Sequence, residues 1–155
     1  MQENQATILI VDDEPLNIDV LRGALHNYKI KVATHGEMAL KIAFLPQPPD
    51  LILLDVKMPG MDGHEVCRRL KDDPRTVNVP VIFVTAMKDI DDEVKGLQMG
   101  AVDYLIKPVK AEIVLARVQT YLKLYQQSKM LEQILNQCTS ELTALRELLA
   151  QRPTQ

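Results

Sequence analysis

Reactive side chains follow four short hydrophobic runs in this sequence, each directly after the run ends. The junctions are residues 8–11 before Asp12 and Asp13, residues 51–54 before Asp55, residues 81–84 before Thr85, and residues 104–106 before Lys107. Hydrophobic runs of this length are typical of strands buried in a parallel sheet. Because ligands bind outside the carboxyl ends of such strands, these side chains are predicted to meet in one site.

Carboxylates that lie within a few ångströms of one another repel strongly unless a cation neutralises them. Oxygen ligands on an open edge favour Mg²⁺, which retains water and bridges to phosphate, so Asp12, Asp13 and Asp55 predict a magnesium site. Lys107 would add a permanent cation and Thr85 a hydroxyl donor. The first two acids alone could instead begin a helix. Asp55 favours the metal, because a charge beside an apolar strand is costly to bury without partners.

Five predicted strands alternate with five predicted helices along the chain. The strands cover residues 8–11, 31–33, 51–54, 81–84 and 104–106, and the helices 15–27, 36–45, 63–71, 91–99 and a last one from about residue 112. Pro15 suits a first helical turn, the acids at 89, 91, 92 and 93 suit the start of the fourth helix, and Gly100 suits its end. This alternation predicts an α/β fold with a parallel sheet, helices on both faces and strand order 2-1-3-4-5.

Four motifs in this order resemble the receiver domain of two-component response regulators, the CheY-like superfamily. They are VDDE at 11–14, LDVKMPGMDG at 54–63, VTA at 84–86 and DYLIKP at 103–108. The resemblance covers about residues 7–124 and implies a flavodoxin-like fold. It implies that Asp55 accepts a phosphoryl group from a histidine kinase or histidine phosphotransfer protein. It also implies that Mg²⁺ is held by Asp12, Asp13, Asp55 and the backbone carbonyl of Lys57.

The same resemblance implies roles for the remaining motif residues. Thr85 would hydrogen-bond the phosphoryl oxygen and Lys107 would pair with it, while the Lys107–Pro108 bond is usually cis in the family. Tyr104 matches an aromatic residue that turns inward when the threonine is drawn to the phosphoryl group, which alters the face formed by helix four, strand five and helix five. Such a chain promotes only its own phosphorylation and dephosphorylation, so we do not expect an enzyme acting on other substrates.

The apolar pattern of the last helix continues well beyond the receiver. Residues at alternating steps of three and four form one stripe, interrupted only at Ser128: Tyr121, Leu124, Leu131, Leu135, Cys138, Leu142, Leu145 and Leu149. A stripe of this spacing over about four heptads predicts a coiled coil. With Tyr121 at position a, Glu141 and Arg146 occupy g and e positions that pair between parallel strands, so a parallel homodimer is favoured. The alternative is one long helix that folds back on its own receiver.

Composition excludes several classes of protein. The chain has 155 residues, a net charge of −3 and no broad basic surface, so direct nucleic-acid binding is not expected. No apolar stretch is long enough to span a membrane, and the N-terminus lacks a signal-peptide core, which predicts a cytoplasmic protein. Cys67 and Cys138 are expected to be reduced structural thiols. His26, His35 and His64 are expected at the surface or in loops.

We therefore predict a receiver domain over residues 1–124 and a coiled-coil extension over residues 125–155. The extension resembles linkers that lead to cyclic-dinucleotide synthases, phosphodiesterases or kinases, and the chain could be a fragment of such a protein. One alternative is a magnesium-dependent phosphatase with an aspartyl nucleophile, although Lys57 stands where that class has a second acid. Another is a stand-alone adaptor whose coiled coil binds a partner.

Overall fold

The computed structural model describes residues 5–86 and 90–153, and of residues 90–92 it describes the backbone alone. Strands and helices alternate in the order β1 (Thr7–Val11), α1 (Pro15–Ala24), β2 (Lys29–Ala33), α2 (Gly36–Ala43), β3 (Leu51–Leu54), α3 (Gly63–Asp72), β4 (Val81–Thr85), α4 (Ile90–Gln98), β5 (Asp103–Ile106) and α5 (Ala111–Ala150). The predicted alternation is confirmed throughout.

All strand pairs in the sheet are parallel, and the strand order is β2-β1-β3-β4-β5, as predicted. The register aligns Val11 of β1 with Leu54 of β3, so the residues that follow them, Asp12 and Asp55, leave the sheet side by side. On the next strands Thr85 pairs with Ile106, directly before Lys107. The sheet therefore brings all four sequence junctions to one edge.

Alternate residues of the buried strands face opposite sides of the sheet, and each side has its own core. One core includes Leu9, Ile52 and Leu54 with side chains of α2 and α3. The other includes Ile8, Ile10 and Leu53 with side chains of α1 and α5. Because both faces of the sheet are covered, the central strands β1, β3 and β4 are almost entirely apolar rather than alternating.

The limits of several elements differ from the predicted ones. Helix α1 ends at Ala24 rather than residue 27, because the Leu25 N–H already turns back to the carbonyls of Leu21 and Arg22. Strand β2 begins at Lys29, two residues early, because its pairing with Thr7 depends on backbone hydrogen bonds and not on an apolar side chain. Gly100, predicted to end the fourth helix, adopts a φ of +104°. Asp89 lies outside the described residues.

Helix α5 has two halves with opposite environments. Its first half packs on α1 and the sheet through Val114, Val118 and Leu122, and all residues from 126 to 150 are exposed. We call residues 126–150 the free segment. The helix is continuous to Ala150, so the predicted alternative of a helix folded back on its receiver is not observed. Within the described ranges, no helix combines the length and apolar character needed to cross a membrane.

Candidate functional site

Three of the predicted site residues form one ion-pair cluster at the carboxyl edge of the sheet. The Lys107 Nζ lies 2.6 Å from Oδ2 of Asp12 and 3.3 Å from Oδ2 of Asp55. Asp12 and Asp55 are almost fully buried, with 1% and 7% of their surface exposed. A buried charge requires a partner, and here one ammonium group serves two carboxylates that come from different strands.

Asp13 completes the acidic cluster. Carboxylate oxygens of Asp12, Asp13 and Asp55 all lie within 4.8 Å of one another, and Asp13 is the most exposed of the three. The backbone N–H of Glu14 donates to Oδ1 of Asp12 over 2.9 Å, which fixes the orientation of that carboxylate. Three convergent oxygen donors with one accessible side fit a hard divalent cation such as Mg²⁺.

The charges of this cluster alter the protonation of its members. Burial raises the pKa of Asp55, the Lys107 ammonium opposes this shift, and the negative charge of Asp12 adds to it. For Lys107 burial alone would lower the pKa, but the hydrogen bond to Asp12 and the charge of Asp55 raise it overall. Lys107 is therefore held as a cation, and Asp55 is a carboxylate that is easier to protonate than usual.

Thr85 and Lys57 border the cavity above Asp55. The buried Thr85 side chain forms a hydrogen bond with the Asp55 carboxylate, which favours the ionised form of that group. An open cavity of about 460 Å³ lies between Asp55, Thr85, Lys57, Lys107 and the start of α1. Its wall therefore carries a carboxylate, a hydroxyl and cationic side chains, which is a polar lining suited to a phosphoryl group.

The loop after Asp55 is held by close backbone packing. The Gly63 N–H donates to the carbonyl of Val56 over 2.8 Å, and a Cβ at Gly63 would overlap the Asp55 carbonyl. Asp62 caps α3 by accepting the Glu65 N–H over 2.9 Å. Only glycine fits at position 63, because any side chain there would displace the backbone of Asp55. The Lys107–Pro108 bond on the other side of the site is cis, as the resemblance implied.

Tyr104 is turned inward in this structure. Its side chain is 8% exposed, and its ring lies 6.2 Å from that of Phe83 on the neighbouring strand. Asp103, the preceding residue, holds the start of α5: its Oδ2 accepts hydrogen bonds from Arg117 over 2.8 Å and from the Tyr121 hydroxyl over 3.2 Å. Strand β5 therefore contacts β4 through Tyr104 and the first half of α5 through Asp103.

Sequence reasoning missed two features near this site. His64 was expected at the surface but is buried in the first turn of α3, where its ring meets Phe83 edge-on at 5.4 Å. Tyr121 was placed in the coiled-coil stripe, yet its hydroxyl also lies 3.2 Å from the carbonyl of Val102, the residue directly before β5 of the same chain. A buried histidine or a tyrosine that bonds to its own receiver has no distinct periodicity in the sequence. The pattern therefore could not distinguish His64 from a surface residue or Tyr121 from an ordinary stripe residue.

Comparison with known proteins identifies the family. Residues 8–119 match the model of the response regulator receiver domain, and the chain belongs to this family. It is 46% identical over 121 residues to a Vibrio cholerae protein named probable cyclic di-GMP phosphodiesterase, in a match that covers 77% of this chain and 27% of that protein. It is 45% identical over 117 residues to response regulator PleD of Caulobacter vibrioides, covering 74% and 26%.

Solved structures agree with this assignment. The crystal structure of a two-component response regulator from Clostridium difficile superposes with a TM-score of 0.71 at 30% identity, covering 77% of this chain and 97% of that one. In contrast, the matches to the two curated relatives span only 27% and 26% of their length. What those longer proteins do as a whole is therefore a separate question from the family of this chain.

Proposed function

We propose that this receiver accepts a phosphoryl group on Asp55 from a histidine kinase or histidine phosphotransfer protein. The supporting observation is the convergence of Asp12, Asp13 and Asp55 within 4.8 Å beside the Lys107 ammonium. Of the three clustered aspartates, Asp55 is the one that lines the polar cavity, together with Lys107. An oxygen of its carboxylate attacks phosphorus in line, the bond from phosphorus to the donor nitrogen breaks, and the donor imidazole retains the electron pair.

Each neighbouring group has a role in this transfer. Asp12, Asp13, Asp55 and the backbone carbonyl of Lys57 would hold Mg²⁺, which when bound neutralises charge on the phosphoryl oxygens. Lys107 pairs with one of these oxygens and Thr85 donates a hydrogen bond to another, so the developing negative charge meets fixed donors. On this proposal, the chain promotes phosphorylation and dephosphorylation of its own aspartate and acts on no other substrate.

Phosphotransfer to Asp55 can be tested with a small donor. Incubation with Mg²⁺ and acetyl phosphate is expected to add one phosphoryl group, seen as a mass increase that is lost at alkaline pH because acyl phosphates hydrolyse. Asp55→Asn is expected to abolish the increase, whereas Asp50→Asn, a matched change at the opposite end of β3, should retain it. Labelling of Asp55→Asn at the normal rate would refute the assignment.

Signal output would then depend on β5 and α5. We infer that Thr85 moves toward the phosphoryl group, that phosphorylation then keeps Tyr104 in the inward position it already holds beside Phe83, and that the face of α4, β5 and α5 changes with this restriction. Arg117 and Tyr121 extend this link into α5 through Asp103. The output controlled through α5 would be a cyclic-dinucleotide enzyme, a kinase or a partner bound by an adaptor.

We also propose that the free segment forms a parallel homodimer. Its stripe residues Leu131, Leu135, Leu142, Leu145 and Leu149 are each more than half exposed, and Cys138 is exposed between them. A second copy of the segment would cover the stripe, with Glu141 facing Arg146 of the other helix. Burying about ten such side chains at roughly 1.5 kcal/mol each or more exceeds association costs of several kcal/mol. A monomer in sedimentation at tens of micromolar concentration would refute the dimer.

A further inference from the structure

A second groove opens beside the phosphoacceptor cavity, between the loop after β3, the first turn of α3 and α4. It has a volume of about 500 Å³ and is lined in part by Lys57, Met58, Asp62, His64 and Lys95. Asp12, Asp55, Thr85 and Lys107 do not line it. Phosphotransfer on Asp55 therefore leaves the groove without an assigned role.

His64 is the feature of this groove that calls for a ligand. The residue is only 6% exposed, it lines the groove, and its Nε2 is buried with no hydrogen-bond partner. Its ring edge rests on Phe83, which also lies against Gly96, the neighbour of Lys95 on α4. A buried polar nitrogen without a partner is costly, and a ligand atom that reached the ring would remove that cost.

The charges around the groove favour an anionic ligand. Lys57, in the loop after β3, and Lys95, on α4, are exposed residues that line it. The first turn of α3 adds the positive end of a helix dipole, and the Asp62 carboxylate is already engaged by the Glu65 N–H. Met58 supplies an apolar surface for a short aliphatic chain. These lining residues carry two positive charges against the single negative charge of Asp62, so a carboxylate attached to a short chain fits the groove.

We propose that this groove binds a carboxylate ligand, with the His64 imidazole as hydrogen-bond donor and Lys57 and Lys95 as its cationic partners. The site does not depend on phosphorylation of Asp55, because its donors are present around the groove itself. Lys57 also lines the phosphoacceptor cavity, so the two cavities are adjacent and share one side chain.

Histidine resonances give a direct test, because the chain has three histidines. In a titration with glutarate, followed by the imidazole Cε1–H signals, the His64 signal is expected to move in a saturable way. His26 and His35 lie at a helix end and at the N-cap of α2, and their signals should stay in place. Glutaramide, the uncharged analogue, should leave all three unchanged. An acetylated triglutamate amide tests whether the carboxylate can come from a peptide instead of a free dicarboxylate.

Two variants make the outcome decisive. Lys95→Ala is expected to weaken glutarate binding about two- to fivefold, the size of one exposed charge pair, whereas Lys123→Ala on the exposed side of α5 should not change it. His64→Phe keeps a ring against Phe83 but removes both nitrogens, and should weaken binding further while acetyl phosphate still labels Asp55. A His64 signal that does not move, equal movement of all three signals, or equal affinity in Lys95→Ala would overturn the proposal.

Discussion

Apolar side chains are buried in the receiver body, the part of the chain before the free segment, and are exposed in the free segment of α5. In the body, Leu53 is 1% exposed and even charged residues such as Asp12 are buried with partners, whereas Leu135 in the free segment is 66% exposed. The apolar side chains of the body are buried against one another within a single chain. No described part of the chain covers the apolar stripe of the free segment, which is why a second copy is proposed there.

The largest contrast between the two regions should appear in stability. Leu53→Ala removes buried methyl groups from the core below β3 and is expected to lower the free energy of unfolding by about 2 to 5 kcal/mol. The same change at Leu135, measured at dilutions where the chain is monomeric, should alter it by less than about 0.5 kcal/mol. Urea unfolding of both variants measures the difference. Equal losses would show that the free segment packs on the body.

The second contrast concerns association. Leu135→Asp combined with Leu142→Asp places charges in the proposed seam and is expected to convert the dimer to a monomer in sedimentation, while acetyl phosphate still labels Asp55. Mild oxidation should link Cys138 to its copy in the wild-type dimer, because a d-position residue faces itself in a parallel pair. Cys67 is buried and its pKa is raised to about 11, so it serves as an unreactive internal control. Loss of labelling in the double variant, or a dimer that does not cross-link, would contradict the corresponding part of the proposal.

The third experiment asks whether the acidic cluster is a metal site. Asp13→Ala deletes one of the three convergent carboxylates and is expected to weaken Mg²⁺ binding at least about tenfold. Asp72→Ala, which removes an exposed carboxylate of α3, is the matched control and should leave affinity unchanged. Calorimetric titration measures both. Equal affinities would mean that the acids at the end of β1 only begin α1.

The fourth experiment compares acids in buried and exposed settings within the body. Burial raises the pKa of Asp55, so its carboxylate is protonated as pH falls sooner than that of an ordinary aspartate. Glu65, held by hydrogen bonds from Arg68 and Arg69, has its pKa lowered to about 2 and should stay ionised through the same range. Carboxyl carbon NMR titration without metal measures both. Lys107→Met should raise the pKa of Asp55 further, and an unchanged value would show that Lys107 does not act on it.

The fold and the predicted cluster could be read from the sequence because four of the five strands end at or directly before a reactive residue. The meeting of Asp12, Asp55 and Lys107 follows from that rule, and the strand order agrees with the one expected from the alternation of strands and helices. Burial of His64 could not be predicted, because its environment depends on Phe83, nineteen residues later along the chain. The start of β2 at Lys29 also escaped, because backbone pairing with Thr7 leaves no mark in the side chains.

The smallest expected effect on stability shows where along α5 the helix stops packing on the receiver body. Tyr121→Phe removes a hydroxyl whose single proton is shared between the Val102 carbonyl and the Asp103 carboxylate, each 3.2 Å away, and should lower the free energy of unfolding by about 0.5 to 1.5 kcal/mol. Tyr125→Phe, one turn later, keeps the ring that lies 4.5 Å from the Lys129 ammonium and should change stability by less than about 0.5 kcal/mol. Urea unfolding again provides the measurement. If both changes cost the same, the body extends past Tyr125. If only the Tyr121 change lowers stability, α5 is bound to β5 as far as that turn. A structural change at Asp103 would then reach the free segment through Tyr121.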